Sequence, residues 1–212
     1  IIGPLKHSLT SNEITSVMGI VNGTTNYMLT RMAQDGLDYG TVLAEAQAKG
    51  YAEADPTADV DGYDAAAKIA ILASIAFNSL VVMDDVSVEG IRSLTSSDID
   101  YAHDMGYAVK LLAIANRTDS GVDIRVHPTM IPLDHPLAGV NGVYNAIYVV
   151  GDAVGETMFF GEGAGSSAAA SAVVGDVIEV ARHLSADCLG LVGCTCTEEL
   201  SVRNIADLTT GY

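Results

Sequence analysis

The stretch YAVKLLAIANRTDSGVDIRVHP, residues 107–128, decides which class of fold the sequence adopts. Its two outer parts, YAVKLLAIAN and VDIRVHP, have the apolar and β-branched composition of strands. Between them, RTDSG is polar and contains Gly121. Two such runs around a polar, glycine-bearing turn are typical of a β-hairpin. The sequence therefore predicts two antiparallel strands that are joined at residues 117–121.

Further strands are predicted on both sides of this hairpin. VYNAIYVV (143–150) and ETMFFG (156–161) flank the turn GDAVG in the same way. ITSVMGIVNG (14–23) is alternating and β-branched, which indicates a strand, and MDDVSVEGI (83–91) indicates a short one. Two antiparallel hairpins combined with helices predict an α+β fold, with a mixed, largely antiparallel sheet covered by helices on one face.

The helices are predicted from apolar spacing and from their end signals. The predicted helical segments are 24–36, 41–49, 62–77 and 95–106. Gly36 and Gly50 are positioned to end the first two, Gly50 as a left-handed cap. Thr95 and Asp98 have the spacing of a capping box at the start of the fourth. A glycine loop and a long helix of small residues follow at 161–184, and the sequence after Leu184 is weakly patterned and linker-like.

Composition excludes several classes of partner. The chain has 27 acidic and 10 basic residues, a net charge of −17. Nucleic acids and anionic membranes bind clustered Lys and Arg, so neither is expected as a partner. The longest apolar run, IAILASIAF (69–77), is less than half of the roughly 20 residues that cross a bilayer. Three cysteines, an odd number, argue against a disulfide framework and for a reducing compartment, so we expect a cytoplasmic protein.

The segment YAEADPTADVDGYDAAAKIAI, residues 51–71, concentrates acidic residues in front of a single lysine. Asp64 and Lys68 are four residues apart on the predicted helix and therefore share a face. An ordinary helix ion pair of this kind contributes a few tenths of a kcal/mol. Because the helix is otherwise apolar, we expect Lys68 to be buried and the acids to make its charge tolerable. The acids are Glu53, Asp55, Asp59, Asp61 and Asp64.

The same cluster also suits proton transfer, because desolvation and neighbouring carboxylates act in opposite directions on the basicity of an amine. Acids that are not needed for the lysine can hold a cationic part of a substrate, such as an α-ammonium group. A calcium loop is a competing interpretation of DPTADVDG. It fails at both ends, because an EF-hand alignment places Thr57 at the first ligand position and Lys68 at the last.

Other motifs leave alternatives open. In VNGTTNY, the N–H groups of Thr24 and Thr25 could bind a carboxylate or phosphate, or the turn could be an ordinary helix cap. GEGAG (161–165) resembles half of a dinucleotide loop, which is weak evidence by itself. Two groups have partial metal-ligand character, but we expect no metal site. They are Cys188, Cys194 and Cys196 with His183, and His127 with His135.

Assembled, these stretches resemble the homoserine dehydrogenase family over residues 1–183. The resemblance is carried by GIVNGTTNYMLTRM (19–32), by EAQAKGYAEADPTADVDGYDAAAKIAILA (45–73), by GYAVKLLA (106–113) and by the glycine loop with its helix. The family interconverts L-homoserine and L-aspartate 4-semialdehyde with NAD(P), in the biosynthesis of threonine, methionine and isoleucine. Hydride passes directly between substrate carbon and nicotinamide.

The resemblance also implies roles for single residues. Lys68 is expected to be the acid/base at the hydroxyl or aldehyde oxygen, with Asp64 beside it. The substrate-binding residues implied by the resemblance are Glu53, Asp59, Thr24 and the main chain of Tyr51. The residues expected to face the cofactor are Gly50, Gly161, Glu162 and Gly163.

The resemblance implies three parts for residues 1–212. Residues 1–160 are a catalytic, substrate-binding domain that forms a homodimer through its sheet, and 161–184 pack toward a nucleotide-binding domain. Residues 185–212 lead toward a regulatory domain of the ACT type. The nucleotide-binding domain and the carbonyls that bind a monovalent cation are expected before residue 1, so the chain alone is predicted to be inactive.

Two alternatives remain at the level of the sequence. One is a non-catalytic oligomerisation module, in which the hairpins pair across a dimer and the acidic segment is solvated. The other is an enzyme like aspartate semialdehyde dehydrogenase, whose chemistry needs an activated cysteine. All three cysteines lie outside the motif region, which speaks against it. The choice between NAD and NADP stays open.

Overall fold

The computed structural model of the protein describes residues 1–188 and 198–204. Its centre is an open six-stranded sheet with the strand order β2-β4-β3-β1-β5-β6. The strands are β1 (Ile14–Ile20), β2 (Ser87–Val88), β3 (Tyr107–Thr118), β4 (Gly121–Pro132), β5 (Tyr144–Gly151) and β6 (Gly155–Glu162).

The two predicted hairpins are confirmed. β3 and β4 pair from Tyr107 opposite Pro132 to Thr118 opposite Gly121, and β5 and β6 pair in the same antiparallel manner. β1 lies between the hairpins and is antiparallel to both β3 and β5. The two-residue strand β2 is parallel to β4. The sheet is therefore mixed and largely antiparallel, as the α+β prediction requires.

Six α-helices accompany the sheet in the described residues, and the capping signals place their ends. Asn22 caps the first helix, and Gly36 follows it in a left-handed conformation. Thr95 and Asp98 form the predicted capping box. Gly50 has the predicted positive φ of 74°. The helices are α1 (Gly23–Asp35), α2 (Tyr39–Ala48), α3 (Thr57–Val60), α4 (Tyr63–Ala76), α5 (Ser96–Asp104) and α6 (Ser166–Ser185).

Two short segments differ from the prediction. The acidic residues between the helices predicted at 41–49 and 62–77 include the single helical turn α3, which was not predicted. Most of MDDVSVEGI is not a strand, because Met83–Asp85 forms a 3-10 turn and only two residues join the sheet. Short elements of this kind carry too few residues to show a helical or strand period in the sequence. Further turns are a π-helical one at Pro4–Ser8 and a 3-10 turn at Pro136–Gly139.

The two faces of the sheet bury different clusters. On one face, Val17, Ala113 and Val149 pack against the helices in the larger core, which includes Met28 and Ile69. On the other face, a smaller cluster contains Leu112 and Tyr148 and is covered by the turn at Pro136–Gly139 and by Val140. The larger helices that pack on the sheet therefore lie on one face, as predicted.

The two described segments near the C-terminal end, α6 and Glu198–Asn204, differ in how they contact the rest of the domain. α6 has no buried residue along its whole length. Glu198–Asn204 instead lies against the domain, where Val122 donates to the Ser201 carbonyl at 2.9 Å and Arg203 donates to the Val122 carbonyl at 2.8 Å. Most of the predicted linker after Leu184 lies outside the described residues. Within them, no helix has the length and apolar character that crossing a bilayer requires.

Candidate active site

Two of the acids in segment 51–71 stabilise the segment itself. Asp55 accepts a hydrogen bond from the Thr57 main-chain N–H at 3.1 Å, and hydrogen bonds from Thr57 lower the pKa of Asp55. Asp61 forms an ion pair with Arg92, whose guanidinium also donates to the Thr57 hydroxyl at 3.1 Å. These contacts fix the turn that leads from α3 into α4.

The other two aspartates meet Lys68 and Asn22. The Lys68 ammonium donates to Asp64 Oδ2 at 2.7 Å and to the Val21 main-chain oxygen at 2.9 Å. The predicted pairing of Asp64 with Lys68 is therefore present. These two oxygen acceptors hold the ammonium in one position, between the start of α4 and the end of β1.

The expectation that Lys68 is buried is wrong. Its side chain is 48% exposed. α4 packs one side against the sheet and turns the other outward, where Tyr63 and Ile71 are also exposed. Because the sequence of α4 is apolar on nearly all sides, it did not show which side faces the sheet and which faces outward. The ammonium is therefore held by hydrogen bonds on one side and is open to a ligand on the other.

Asn22 is a site residue that the sequence analysis did not find. Its side-chain amide donates to Asp59 Oδ1 at 2.7 Å and to Asp64 Oδ2 at 2.9 Å. Its carbonyl oxygen accepts from the Thr25 main-chain N–H at 2.9 Å, so that N–H belongs to a helix cap and is not free for an anion. The available signal was an Asn directly before Gly-Thr-Thr at a strand-to-helix junction.

Thr24 and the main chain of Tyr51, both predicted to bind substrate, are in direct contact. The Thr24 hydroxyl donates to the Tyr51 main-chain oxygen at 2.5 Å. The Tyr51 ring lies edge-on to Tyr27, with 5.0 Å between ring centroids. Lys49 donates to the Tyr27 hydroxyl at 2.8 Å and pairs with Glu45. Hydrogen bonds to Glu45 from Lys49 and from Tyr27 lower the pKa of Glu45 to about 2. The turn after α2 is thus fastened to the start of α1.

Glu53 and Gly50 lie at the surface beside this turn. The main-chain oxygen of Glu53 accepts from the Gln47 side chain at 3.0 Å, and its carboxylate is exposed. Within residues 1–188 and 198–204, no hydrogen bond or ion pair joins this carboxylate to Lys68. The predicted roles of Glu53 and Gly50 are therefore left as predictions.

The predicted cofactor loop begins at the end of β6. Gly161 and Glu162 are its last strand residues, and Gly163 follows. A Cβ atom on Gly163 would lie 1.8 Å from Asn145 Oδ1. Asn145 in turn donates to the Ile20 main-chain oxygen at 3.1 Å, next to the Val21 oxygen that binds Lys68. This glycine is therefore required for packing, and the loop lies beside the end of β1.

The histidines considered as metal ligands have other partners. His135 accepts from the Leu137 main-chain N–H at 3.1 Å. His127 lies 3.2 Å from the Arg125 guanidinium. Cys194 and Cys196 lie outside the described residues, and Cys188 contacts the His183 main-chain oxygen. In the described part of the chain, no three His, Cys, Asp or Glu side chains are grouped so that they could hold a metal ion.

Lys110 is a second lysine that the sequence analysis did not single out. It is 3% exposed on β3. Its ammonium donates to the Val140 main-chain oxygen at 2.6 Å, to Asn141 Oδ1 at 3.0 Å and to Asn26 Oδ1 at 3.3 Å. These acceptors are neutral, and burial lowers the pKa of Lys110 to about 8. This network fastens Val140 and Asn141 to the start of α1.

The fold and the site define an α+β domain. At the end of β1 this domain carries the Lys68–Asp64 pair and a second carboxylate, that of Asp59. A model of the homoserine dehydrogenase family matches residues 1–178. The chain belongs to the homoserine dehydrogenase family.

Individual relatives agree with this assignment. The chain is 51% identical to a homoserine dehydrogenase of Synechocystis over 100% of its own length and 51% of that protein. It is 53% identical to the Corynebacterium glutamicum homoserine dehydrogenase, with 86% and 42% covered. The chain thus spans about half the length of the curated relatives it matches.

Solved structures give the same result. A homoserine dehydrogenase from Thiobacillus denitrificans superimposes with a TM-score of 0.88 at 47% identity, covering 91% of this chain and 45% of that one. A hyperthermophilic archaeal homoserine dehydrogenase mutant in complex with NADPH has a TM-score of 0.71 at 30% identity, covering 84% of this chain and 51% of that one.

Proposed function

We propose that this chain is the substrate-binding and catalytic half of a cytoplasmic homoserine dehydrogenase, which interconverts L-homoserine and L-aspartate 4-semialdehyde with NAD(P). The observation that carries the proposal is the half-exposed Lys68 ammonium, held by Asp64 and by the Val21 oxygen. Family membership supplies the reaction, and this geometry supplies a proton donor with one open side.

Lys68 acts on the oxygen at C4 of the substrate. In the direction of reduction, its ammonium donates a proton to the oxygen of the aldehyde as the carbon accepts hydride, which leaves an alcohol and a neutral amine. In the direction of oxidation, the amine accepts the hydroxyl proton. Asp64 stabilises the ammonium form by its direct hydrogen bond. General acid–base assistance of this kind contributes about 10²- to 10⁴-fold to a rate.

The substrate's amino-acid end is bound by the acidic and main-chain groups around the lysine. Asp59 and Asp64 both accept from the Asn22 amide, and an α-ammonium group of the substrate binds against these carboxylates. Glu53 on the exposed turn supplies a further carboxylate. Thr24 and the Tyr51 main chain form the adjoining edge of the site.

The residues present fit one end of a nicotinamide cofactor. In the part of the chain that the structure describes, no atom lies within 4 Å of the position that a Cβ would take on Gly50 or Gly161, so a ligand can approach their main chain closely. Glu162 and Gly163 follow Gly161 in the chain. The sheet is largely antiparallel and so lacks the parallel βαβ unit that binds dinucleotides. When bound, the cofactor accepts or supplies the hydride. We propose that sequence outside residues 1–212 holds the rest of it, together with the ligands of a monovalent cation.

The proposal also names a partner for two exposed surfaces, helix α6 and the second face of the sheet. The exposed helix α6 packs on the nucleotide-binding half. The second sheet face pairs with another copy of the chain, because Tyr144 and Phe160 stack there at 5.1 Å and remain exposed, with Met158 beside them. An oligomerisation module without catalysis remains the alternative from another class, since it uses the same sheet face.

The test compares the chain alone with the chain joined to the nucleotide-binding half of a close relative. NADPH oxidation is followed with L-aspartate 4-semialdehyde as substrate. We expect turnover from the joined protein and none from residues 1–212 alone. Turnover by the isolated chain would overturn the proposal that cofactor binding needs the nucleotide-binding half. Absence of turnover in a folded joined protein would overturn the proposed reaction.

A further inference from the structure

The hydrogen bonds of Asn22 exceed what a helix cap requires. A cap needs a side-chain oxygen that accepts from a main-chain N–H in the first turn. Asn22 satisfies this with Oδ1, which accepts from the Thr25 N–H at 2.9 Å and from the Thr25 hydroxyl at 3.0 Å. Ser, Thr or Asp would do the same. Because Oδ1 is occupied by these donors, the amide nitrogen must point the other way.

The amide nitrogen points into the site. It donates to Asp59 Oδ1 at 2.7 Å and to Asp64 Oδ2 at 2.9 Å, which uses both of its hydrogens. Asn22 is 6% exposed, so water does not compete for these bonds. Two carboxylates that approach one point repel each other, and a shared donor between them removes much of that cost.

Asp64 Oδ2 accepts from Lys68 and from Asn22 together, at 2.7 and 2.9 Å. The orientation of this carboxylate therefore depends on both donors, and the position of the Lys68 ammonium depends on the carboxylate. Among the described residues, Asn22 is also the side chain that hydrogen-bonds Asp59. One neutral amide thus contacts both carboxylates and is linked through Asp64 to the Lys68 ammonium.

We propose that Asn22 is a positioning residue of the active site, which sets Asp59 and Asp64 at the separation needed for substrate binding and proton transfer by Lys68. This inference rests on the proposed function for its kinetic consequence. Its geometric content, that the amide holds the two carboxylates and the lysine in place, stands on the contacts alone.

The test uses Asn22→Ser and Asn22→Asp in the intact enzyme that contains this domain. Both variants keep a helix cap, and both lose the amide donor. Asn22→Asp also places a third carboxylate in the site. We expect kcat to fall by about 10-fold for Asn22→Ser and about 100-fold for Asn22→Asp, as for a small misplacement of reacting groups. KM for the cofactor should change little.

Asp38 provides the matched control. It caps α2 by accepting from the Thr41 N–H at 2.9 Å, away from the site. Asp38→Ser and Asp38→Asn should leave kcat unchanged, although they change the thermal stability about as much as the Asn22 variants do. If the Asn22 variants behave like the Asp38 variants, Asn22 is only a cap and the inference is wrong.

Crystal structures of the variants separate this inference from the proposed reaction. We expect Asp59 and Asp64 to move apart and the distance from Lys68 Nζ to Asp64 Oδ2 to lengthen from 2.7 Å. Unmoved carboxylates would overturn the inference whatever the kinetics show. If the unsubstituted enzyme does not turn over L-homoserine, the proposed function fails while the structural comparison still decides the role of Asn22.

Discussion

The Lys68 ammonium donates a hydrogen bond to the main-chain oxygen of Val21 at 2.9 Å. Val21 directly follows β1, one of the two central strands, so a side chain on α4 is tied to the middle of the sheet. A half-exposed lysine ordinarily samples many rotamers. Here a main-chain atom and Asp64 restrict it to one position, which is what a proton donor requires.

Replacement of Lys68 tests its proposed role most directly. Lys68→Met in the intact enzyme should lower kcat by at least about 100-fold, because the acid/base is removed. Arg31→Met is the control, since Arg31 also pairs with a carboxylate four residues away, Asp35, but on α1 outside the site. Steady-state kinetics with L-homoserine measure both. Equal activity of the two variants would contradict an acid/base role for Lys68.

Asp64 and Asp61 offer a comparison within one segment. Asp64→Asn removes the charge that holds Lys68 and should lower kcat by about 10-fold or more. Asp61→Asn removes the partner of Arg92 and should affect stability, with kcat retained. Thermal unfolding and kinetics on both variants give the check. The assignment of the two acids is reversed if Asp61→Asn loses turnover and Asp64→Asn does not.

Lys110 makes stability depend on pH. Burial lowers its pKa in the folded protein from 10.5 to about 8. Between these values the unfolded chain keeps the proton that the folded chain has released, so stability rises with pH. The change approaches about 3 kcal/mol, since one pKa unit corresponds to about 1.4 kcal/mol. Below pH 8 the group is protonated in both states and contributes no slope.

Urea unfolding of the wild type and of Lys110→Met between pH 7 and pH 11 measures this. The difference between the two free energies of unfolding should shift in favour of the wild type as pH rises through the window, because other titrating groups cancel. A pH-independent difference would contradict the lowered pKa of Lys110, because it would show that the three oxygen acceptors of the ammonium offset its desolvation.

The sheet face at β6 should govern self-association. Phe160→Asp places a charge in the exposed apolar patch formed with Tyr144 and Met158, and we expect at least about a 10-fold weaker dimer. Tyr101→Asp is the control, because Tyr101 is even more exposed but lies on α5. Sedimentation velocity over a range of concentrations distinguishes them. A monomeric wild type, or equal effects of the two substitutions, would contradict the proposed dimer face.

Much of the fold was predictable because its signals are local. The turn sequences at 117–121 and 151–155 determine the hairpins, and Thr95 with Asp98 determines the start of α5. The pairing of Asp64 with Lys68 follows from helical spacing alone. The exposure of Lys68 was mispredicted, because the composition of a helix does not reveal which of its sides the sheet covers.

The rest of the site depends on contacts between distant parts of the chain. Asn22 reaches Asp64 across 42 positions, and Lys110 reaches Asn26 across 84. A single sequence shows the residue types at such positions but not their distances. From the sequence alone, Asn22 is interpreted as a helix cap and Lys110 as a surface residue. Their other contacts exist only in the folded chain.

The amino-acid sequence by itself determined the two hairpins, the helix ends marked by Gly36, Gly50 and Thr95, and the acidic segment in front of one lysine, since each depends on residues within a few positions of one another. Only the tertiary structure decided that Asn22 joins two carboxylates and that Val21 holds the half-exposed amine. The reason is that packing the helices on the sheet brings the end of β1 against the start of α4, and hydrogen-bond geometry exists only after that contact forms.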